Sequence, residues 1–208
     1  MRKLILATVA GIALTAPAFA QSPTLEGVDA GTYKLDTTHA YLTFAVSHNG
    51  LSDYVVNMTG FEATLDFNPV DPTSSSISLS IDPTKLNTHY PDAEKKVEWE
   101  DEISNDPKFF NAGAFPEIRF TSTKVEKTDD NKGKVTGDLT FLGMTKPVTM
   151  TVKYNGVANL PWYGETDLIG FDAKGTFNRS DFGMTHLQGG IGDEVTIKFS
   201  GEFVHAGE

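Results

Sequence analysis

The chain has 208 residues, of which 39% are hydrophobic and 22% are charged, and it contains no cysteine. Its 17 basic and 28 acidic residues give a formal net charge of -11, which repels phosphate backbones and excludes nucleic acid as a partner. The length fits a single domain, and the lack of cysteine excludes disulfide scaffolds, thiol catalysis and iron–sulfur ligation.

Residues 1–20 have the pattern of a secretory signal peptide. A basic start at Arg2 and Lys3 precedes an apolar stretch and a small-residue cleavage pattern at Ala18 and Ala20. The apolar stretch is too short to span a hydrocarbon core of about 30 Å, and no later segment has spanning length. We therefore expect cleavage after Ala20, export to the periplasm, and a mature protein that is not embedded in the membrane.

Residues 21–30 are expected to form a flexible leader, and residues 31–208 a single β domain. From Gly31 onward, apolar and polar residues alternate, which is the pattern of half-buried strands. Turn sequences such as Asn49-Gly50 separate the alternating segments, so eight or nine antiparallel strands are predicted.

Only residues 93–104 favour a helix, with Asp92 as its N-cap. Strands of this number, each with one apolar face, close into a barrel or pack as a sandwich. The fold class is therefore all-β, and a barrel of about eight strands with one short helix resembles the lipocalins, which hold one small ligand. Outer-membrane barrels alternate in the same way, but they carry aromatic girdles, and the loops here contain few Trp and Tyr residues.

The inward-facing positions of the predicted strands carry many phenylalanines. Such an interior suits a dry aromatic core and a ligand cavity equally well, and the pattern alone does not choose between them. If a ligand binds, the expected contact residues on the strands are Leu42, Phe44, Val46, His48, Phe61, Leu79, Phe120, Phe141, Met150, Phe171 and Phe177.

Arg179 ends the strand that contains Phe171 and Phe177, and Met184 follows it closely; both are included among the expected contact residues. Arg179 has two interpretations. It is a surface residue paired with Asp181 or another carboxylate, or a charge at the cavity mouth that holds a polar ligand head or orders a closing loop. The structural role is favoured.

None of the five histidines shows a close metal-ligand spacing, so no metal and no cofactor is expected. His48 belongs to an inward-facing set and is interpreted as a hydrogen-bonded polar group inside the barrel. Catalysis by this residue is the less favoured interpretation.

Several segments, in order along most of the chain, resemble the YceI-like family of polyisoprenoid-binding proteins. They include residues 33–40 (YKLDTTHA), 44–48 (FAVSH), 115–123 (FPEIRFTST), 137–148 (GDLTFLGMTKPV) and 179–184 (RSDFGM). The resemblance implies an elongated lipocalin-like antiparallel barrel whose apolar cavity holds a polyprenyl chain or a similar amphiphile. It also implies periplasmic residence and no catalytic residues.

The leading hypothesis is a periplasmic carrier or store of an isoprenoid lipid, such as a quinone, without enzymatic activity. Two alternatives stay open: an enzyme that modifies a lipid inside the barrel with His39 or His48 as acid or base, and a structural or interaction barrel with a dry core. Formation of a homodimer is also left open. Residues 157–167 depart from the family pattern, and Trp162 and Tyr163 within them are candidates for shaping or gating the cavity mouth.

Overall fold

The computed structural model describes residues 24–207. Its strands are β1 Gly31–His48, β2 Ser52–Met58, β3 Phe61–Phe67, β4 Ser76–Ile81, β5 Leu86–Asn87, β6 Ile118–Asp129, β7 Lys132–Phe141, β8 Met144–Asn159, β9 Asp167–Asn178 and β10 Ile191–His205. The helices in this part of the chain are α1 Ala93–Asn105 and the short 3-10 helices Pro72–Ser74, Pro161–Tyr163 and Arg179–Phe182. The predicted signal peptide, residues 1–20, and its cleavage after Ala20 lie outside the described residues.

Eight strands close into an antiparallel barrel, in the order β1, β3, β4, β6, β7, β8, β9 and β10, and pairing of β10 with β1 completes the circle. The predicted all-β barrel is therefore confirmed. Tight hairpins connect several of these strands. The β7–β8 turn, for example, places Leu142 and Gly143 at φ of 49° and 72°, the left-handed backbone that a two-residue hairpin requires.

Strand β1 pairs with two different strands along the same edge. Its first residues, from Gly31 to Lys34, pair with β3, and its last residues, from Leu42 to His48, pair with β2. Strand β2 in turn pairs with the short β5, so these two strands form a flap beyond the closed barrel. The sequence pattern did not predict β2, in which the exposed apolar Val55 breaks the alternation, or β5, which has only two residues.

Helix α1 follows the prediction closely. The Asp92 side chain accepts a hydrogen bond from the backbone N–H of Lys95 at 3.0 Å, as an N-cap does. Trp99 and Ile103, four residues apart, lie on the face of the helix that packs against the end of the barrel. Across residues 24–207, no helix has the length and apolar character needed to cross a membrane.

The segment before β1 lies against the opposite end of the barrel. Val28 is buried, and Leu25 packs against the same apolar cluster. A backbone hydrogen bond from Val28 N–H to the Leu25 carbonyl closes a turn between them. The sequence predicts a flexible leader over residues 21–30, whereas the described part of it, from residue 24, is docked by these apolar contacts.

Polar bonds hold the same segment in place. The Asp29 N–H donates to Oδ2 of Asp167 at 2.8 Å, and the Tyr33 hydroxyl donates to the Asp29 carbonyl at 2.7 Å. Burial, with a contribution from the charge of Asp167, raises the pKa of Tyr154 to about 12 and that of Tyr33 further still. Both phenols therefore stay protonated and serve as neutral hydrogen-bond donors in this end of the barrel.

Candidate functional site

The barrel contains two apolar cavities that meet in its middle. The first lobe has a volume of about 160 Å³ and lies toward helix α1. The second lobe has a volume of about 220 Å³ and lies toward the β6–β7 hairpin. Four side chains border both lobes and form a waist between them: Leu42, Ile81, Leu139 and Ile197.

The walls of both lobes are almost entirely hydrocarbon. Strands supply most of the wall, because inward side chains of neighbouring antiparallel strands fall at the same level of the barrel. In the first lobe the helix side adds Trp99, Ile103, Phe109 and Phe110. An apolar cavity of this kind stays dry or takes up an apolar ligand. The interior is therefore not a filled aromatic core.

Eleven of the thirteen residues that the sequence singled out line these lobes. Those in the first lobe are Phe44, Val46, Phe141, Phe177, Arg179 and Met184; those in the second are Leu79, Phe120, Met150 and Phe171; Leu42 borders both. The position of the nine strand residues follows from the two-residue period, since each was chosen from an inward-facing set, whereas Arg179 and Met184 follow strand β9.

The other two residues lie elsewhere. The alternation predicts an inward-facing His48, but the residue is exposed at the end of β1, where its Nδ1 lies 3.2 Å from Nδ2 of Asn49. The pairing of β1 with β10 shifts register between Val46 and His48, so the side-chain alternation ends there. Phe61 points into the interior and packs edge-to-face against Phe199, but it is not one of the residues that line the lobes.

Two glycines give neighbouring side chains room to lie flat against the barrel wall. A Cβ at Gly137 would collide with the ring of Phe120, and a Cβ at Gly175 would collide with the sulfur of Met150. Both glycines face inward on β7 and β9. They keep the space of the second lobe open by letting these two large side chains turn aside.

Arg179 is buried, with only 3% of its surface exposed. Its guanidinium donates four hydrogen bonds of 2.7–3.2 Å to backbone carbonyls, two in the loop before β10, at Met184 and His186, and two at the start of β10, at Ile191 and Gly192. Within residues 24–207 it forms no salt bridge with Asp181 or another carboxylate, although the charge of Asp193 favours its protonated form. Burial lowers the pKa of this guanidinium, which nevertheless stays charged.

Of the roles considered for Arg179, the structure agrees with the ordering of a closing loop. The loop from Met184 to Ile191 supplies part of the wall of the first lobe, and Leu187 in this loop is 49% exposed at its surface. Four of the five N–H donors of Arg179 bind backbone carbonyls, so this side chain holds the loop against the start of β10.

Several wall residues were not identified from the sequence. Tyr54 and Val56 lie on the unpredicted strand β2, and Trp99 and Ile103 lie on helix α1. A sequence signal existed for the helix pair, since the spacing of four places both side chains on one face. No such signal marked Phe109, which follows the helix in an irregular segment.

A polar cluster sits on the outside of the barrel, where β1 bulges between Asp36 and Ala40. The Asp36 carboxylate accepts hydrogen bonds from the hydroxyl of Thr38 at 2.6 Å and from the hydroxyl of Tyr163 at 2.6 Å, and it pairs with Nδ1 of His39 at 2.8 Å. These bonds hold the three-residue bulge in one conformation.

The charges in this cluster shift each other's protonation. Burial alone would raise the pKa of Asp36, but hydrogen bonds from His39, Thr38 and Tyr163 together hold it far below its usual value. The hydrogen bond with Asp36 raises the pKa of His39, and it raises the pKa of Tyr163 to about 12. The cluster therefore favours a protonated His39 beside an ionised Asp36, with Tyr163 as a neutral hydrogen-bond donor.

The same cluster contains the one group in residues 24–207 with metal-ligand geometry: one ligand atom each from Asp36, His39 and Glu202, all within 4.8 Å of one another. Both oxygens of Asp36 already accept hydrogen bonds, and the Nδ1 of His39 faces Asp36. We therefore interpret the hydrogen bonds of this cluster as ones that stabilise the bulge of β1.

Trp162 and Tyr163 line neither lobe. Trp162 is 68% exposed, and the hydroxyl of Tyr163 is engaged by Asp36 on the outer surface. The expectation that this segment shapes the cavity mouth is not supported by their positions. Its role in the structure is to secure the bulge of β1.

Comparison with known proteins agrees with this architecture. Residues 33–203 match the family model for the YceI-like domain. Protein YceI of Salmonella arizonae (strain ATCC BAA-731 / CDC346-86 / RSK2980) is 32% identical over 177 residues, which cover 84% of this chain and 87% of that protein.

Solved structures show the same fold. The crystal structure of Burkholderia cenocepacia BcnA superposes with a TM-score of 0.69 at 22% identity, covering 81% of this chain and 98% of BcnA. A polyisoprenoid binding domain from Saccharophagus degradans, implicated in plant cell wall breakdown, superposes with a TM-score of 0.59 at 13% identity, covering 85% of this chain and 99% of that domain. The family match, the related sequence and the shared barrel together show that the chain belongs to the YceI-like family.

Proposed function

We propose that this protein binds an isoprenoid lipid in the two-lobed cavity and carries, stores or sequesters it in the periplasm. The observation that carries the proposal is the pair of apolar lobes joined at a waist, which forms an elongated space suited to a chain. The similar domain from Saccharophagus degradans is a polyisoprenoid binding domain, which points to the same class of ligand.

The volumes indicate how much chain the barrel encloses. A cavity of about 150 Å³ lined by aliphatic and aromatic residues holds one benzene-sized molecule. By that measure, lobes of about 160 and 220 Å³ together hold roughly fifteen carbons, or about three isoprene units. A longer chain would extend through an opening or widen the waist.

The energetics suit an apolar chain without specific polar contacts. Burial of one methylene contributes about 0.8 kcal/mol, so about fifteen buried carbons contribute roughly 12 kcal/mol. Loss of translational and chain freedom removes several kcal/mol of this amount. The remainder supports tight binding with loose chemical selectivity along the chain.

Binding without catalysis is the form of the proposal that the geometry favours. The enzyme alternative requires His39 or His48 as an acid or base within the barrel. Both residues are exposed on the outside and line neither lobe. Arg179, the charged residue that borders the first lobe, is committed to backbone carbonyls.

Mass spectrometry of an organic extract tests the proposal. The protein is purified from the periplasmic fraction without detergent, and the extract is compared with that of the same protein after delipidation. A stoichiometric isoprenoid lipid is the expected result. A lipid that is converted to a new product during incubation would support the enzyme alternative, and failure of both native and added lipid to bind would support a structural barrel.

A further inference from the structure

A short segment that precedes the first strand supplies part of the cavity wall. We call residues 24–30 the N-terminal strap, because they lie against the end of the barrel opposite helix α1. Leu25 is the strap residue that lines a lobe, and the lobe it lines is the second. Its side chain packs against a buried cluster that includes Phe67, Tyr154 and Phe203, which line the same lobe. The N-terminal strap is therefore part of the candidate ligand site.

Two hydrogen bonds fix the end of the N-terminal strap that adjoins β1. The backbone N–H of Asp29 donates to Oδ2 of Asp167 at 2.8 Å, and the Asp29 carbonyl accepts from the hydroxyl of Tyr33 at 2.7 Å. Val28, one residue earlier, has 7% of its surface exposed. The strap therefore has a defined position where it joins the barrel.

A turn then places Leu25 against the second lobe. The N–H of Val28 donates to the carbonyl of Leu25 at 3.3 Å, so residues 25–28 form a β-turn. Gly27, the third residue of this turn, has a φ of 79°, a left-handed conformation that favours glycine. A Cβ at Gly27 would meet no atom within 4 Å, so the backbone conformation is what calls for glycine there.

Leu25 and the waist lie at opposite ends of the second lobe. The waist residue Leu42 belongs to the second half of β1, whereas the N-terminal strap precedes Gly31, the first residue of that strand. Phe67, which lines the lobe beside Leu25, pairs with Gly31 at this end of the barrel. A chain that enters the second lobe through the waist therefore runs toward Leu25.

We propose that Leu25 is a specificity-determining residue, which limits the length of prenyl chain that the barrel encloses. This inference rests on the proposed function. With Leu25 in place the two lobes hold roughly fifteen carbons, so a twenty-carbon chain exceeds the space by about one isoprene unit. A smaller side chain at position 25 lengthens the second lobe, because truncation leaves empty space, and a larger side chain shortens it.

Prenyl alcohols that differ by one isoprene unit test the inference. Delipidated wild type and variants are titrated with geraniol, farnesol and geranylgeraniol, and ratios of their dissociation constants are compared between proteins, which cancels the different solubilities of the alcohols. Leu25→Trp should reduce the advantage of farnesol over geraniol by at least about fivefold, because the shortened lobe no longer encloses the longer chain. Leu25→Ala should increase the advantage of geranylgeraniol over farnesol by at least about fivefold.

Val70→Trp is the control for the tryptophan substitution. Val70 is 93% exposed in the loop between β3 and β4, at the same end of the barrel, and it lines neither lobe. This variant should keep the wild-type ratios. Wild-type ratios in both Leu25 variants, or an equal change in Val70→Trp, would overturn the inference while leaving the proposed function intact. Failure of all three alcohols to bind wild type would overturn the proposed function itself.

A substitution in the turn tests whether the N-terminal strap is what positions Leu25. Gly27→Val strains the backbone at a φ of 79° without a steric clash, so it loosens the turn and leaves the Leu25 side chain intact. The advantage of geranylgeraniol over farnesol should rise, as in Leu25→Ala. Gly164→Val imposes the same strain at a φ of 77° in a segment that lines neither lobe, and it should keep the wild-type ratio. A wild-type ratio in Gly27→Val would overturn the role of the strap.

Discussion

The indole N–H of Trp99 donates a hydrogen bond of 2.7 Å to the hydroxyl of Tyr54, and this bond ties helix α1 to strand β2 over the end of the first lobe. Both side chains also line that lobe. The flap formed by β2 and β5 has no strand partner beyond β5 in the described part of the chain. Contacts with α1 therefore help to cover the apolar end of the cavity.

Removal of this bond is expected to speed ligand release more than it lowers stability. Tyr54→Phe keeps the ring and deletes the acceptor, at a cost of about 1 kcal/mol. The dissociation rate of a bound prenyl alcohol should rise several-fold, as measured by stopped-flow fluorescence. Tyr41→Phe, which alters an exposed tyrosine on the neighbouring strand, is the control and should release ligand at the wild-type rate.

Arg179 should be one of the most sensitive positions for stability. Arg179→Lys replaces a planar fork by a single ammonium that cannot reach all four carbonyls, and unfolding in urea should show a loss of about 2–4 kcal/mol. The comparison variant is Arg119→Lys, an exposed arginine that pairs with Glu117, for which a change below about 0.5 kcal/mol is expected. Similar losses of unfolding free energy for the two variants would contradict the role of Arg179 in ordering the loop.

The Asp36–His39 pair predicts a pH-dependent stability. Because the folded state raises the pKa of His39, the pair stabilises the fold fully below the unfolded value of about 6.5, and this contribution disappears as pH rises through the folded value. Asp36 acts in the opposite direction: its lowered pKa contributes stability above about 3.9 that is lost only in strong acid.

Thermal melts between about pH 5 and 9 measure the His39 contribution. The melting temperature of wild type relative to His39→Gln should fall as pH rises through this range, since glutamine does not titrate. Asp36→Asn should remove the same pH dependence by removing the partner. If the melting temperatures of His39→Gln and Asp36→Asn fall with rising pH as that of wild type does, other groups cause the pH dependence.

The sequence predicted the strands and their inward faces because a two-residue period needs only local information, whereas the choice of a barrel over a sandwich rested on the resemblance to the YceI-like family. Leu79 and Phe120, for example, are predicted to face inward independently, and the structure pairs them directly across β4 and β6. His48 was misplaced because the period says nothing about where pairing shifts register, which depends on contacts with β10 that are distant in the chain.

The parts of the site that the sequence did not predict depend on tertiary contacts. The β6–β7 hairpin contributes to the lining of the second lobe where the pairing of β4 with β6 ends, at Ser78 and Thr121, and neither the composition nor the period of β6 reveals this end. The role of Arg179 depends on a loop folded back within hydrogen-bond reach, so the sequence offered only alternatives. Tyr163 was only a candidate for the cavity mouth, because its segment departs from the family pattern, and the structure pairs its hydroxyl with Asp36 on the outer surface.

A substitution that fills the second lobe distinguishes a ligand cavity from a close-packed core. Leu79 lines this lobe, so the indole of Leu79→Trp has space to enter, and the delipidated variant should lose less than about 1 kcal/mol of stability. In a close-packed core the same change would cost about 1–3 kcal/mol. Binding of a prenyl lipid should fall sharply because the passage is blocked.

Ser78→Trp is the matched control for this substitution, because it adds the same side chain one position away on the exposed face of β4. It should bind lipid as wild type does. A large loss of stability in delipidated Leu79→Trp, together with lipid binding that is unaffected by it, would contradict a ligand in the second lobe.

An isoprenoid chain in the interior of the barrel would lie against Trp99, whose fluorescence reports its binding directly. The chain has two tryptophans, and Trp162→Phe removes the exposed one while leaving Trp99 in the wall of the first lobe. Titration of this delipidated variant with geranylgeraniol should give a saturable change in Trp99 emission with a stoichiometry of one. No change in emission, together with no heat of binding by calorimetry, would contradict the account.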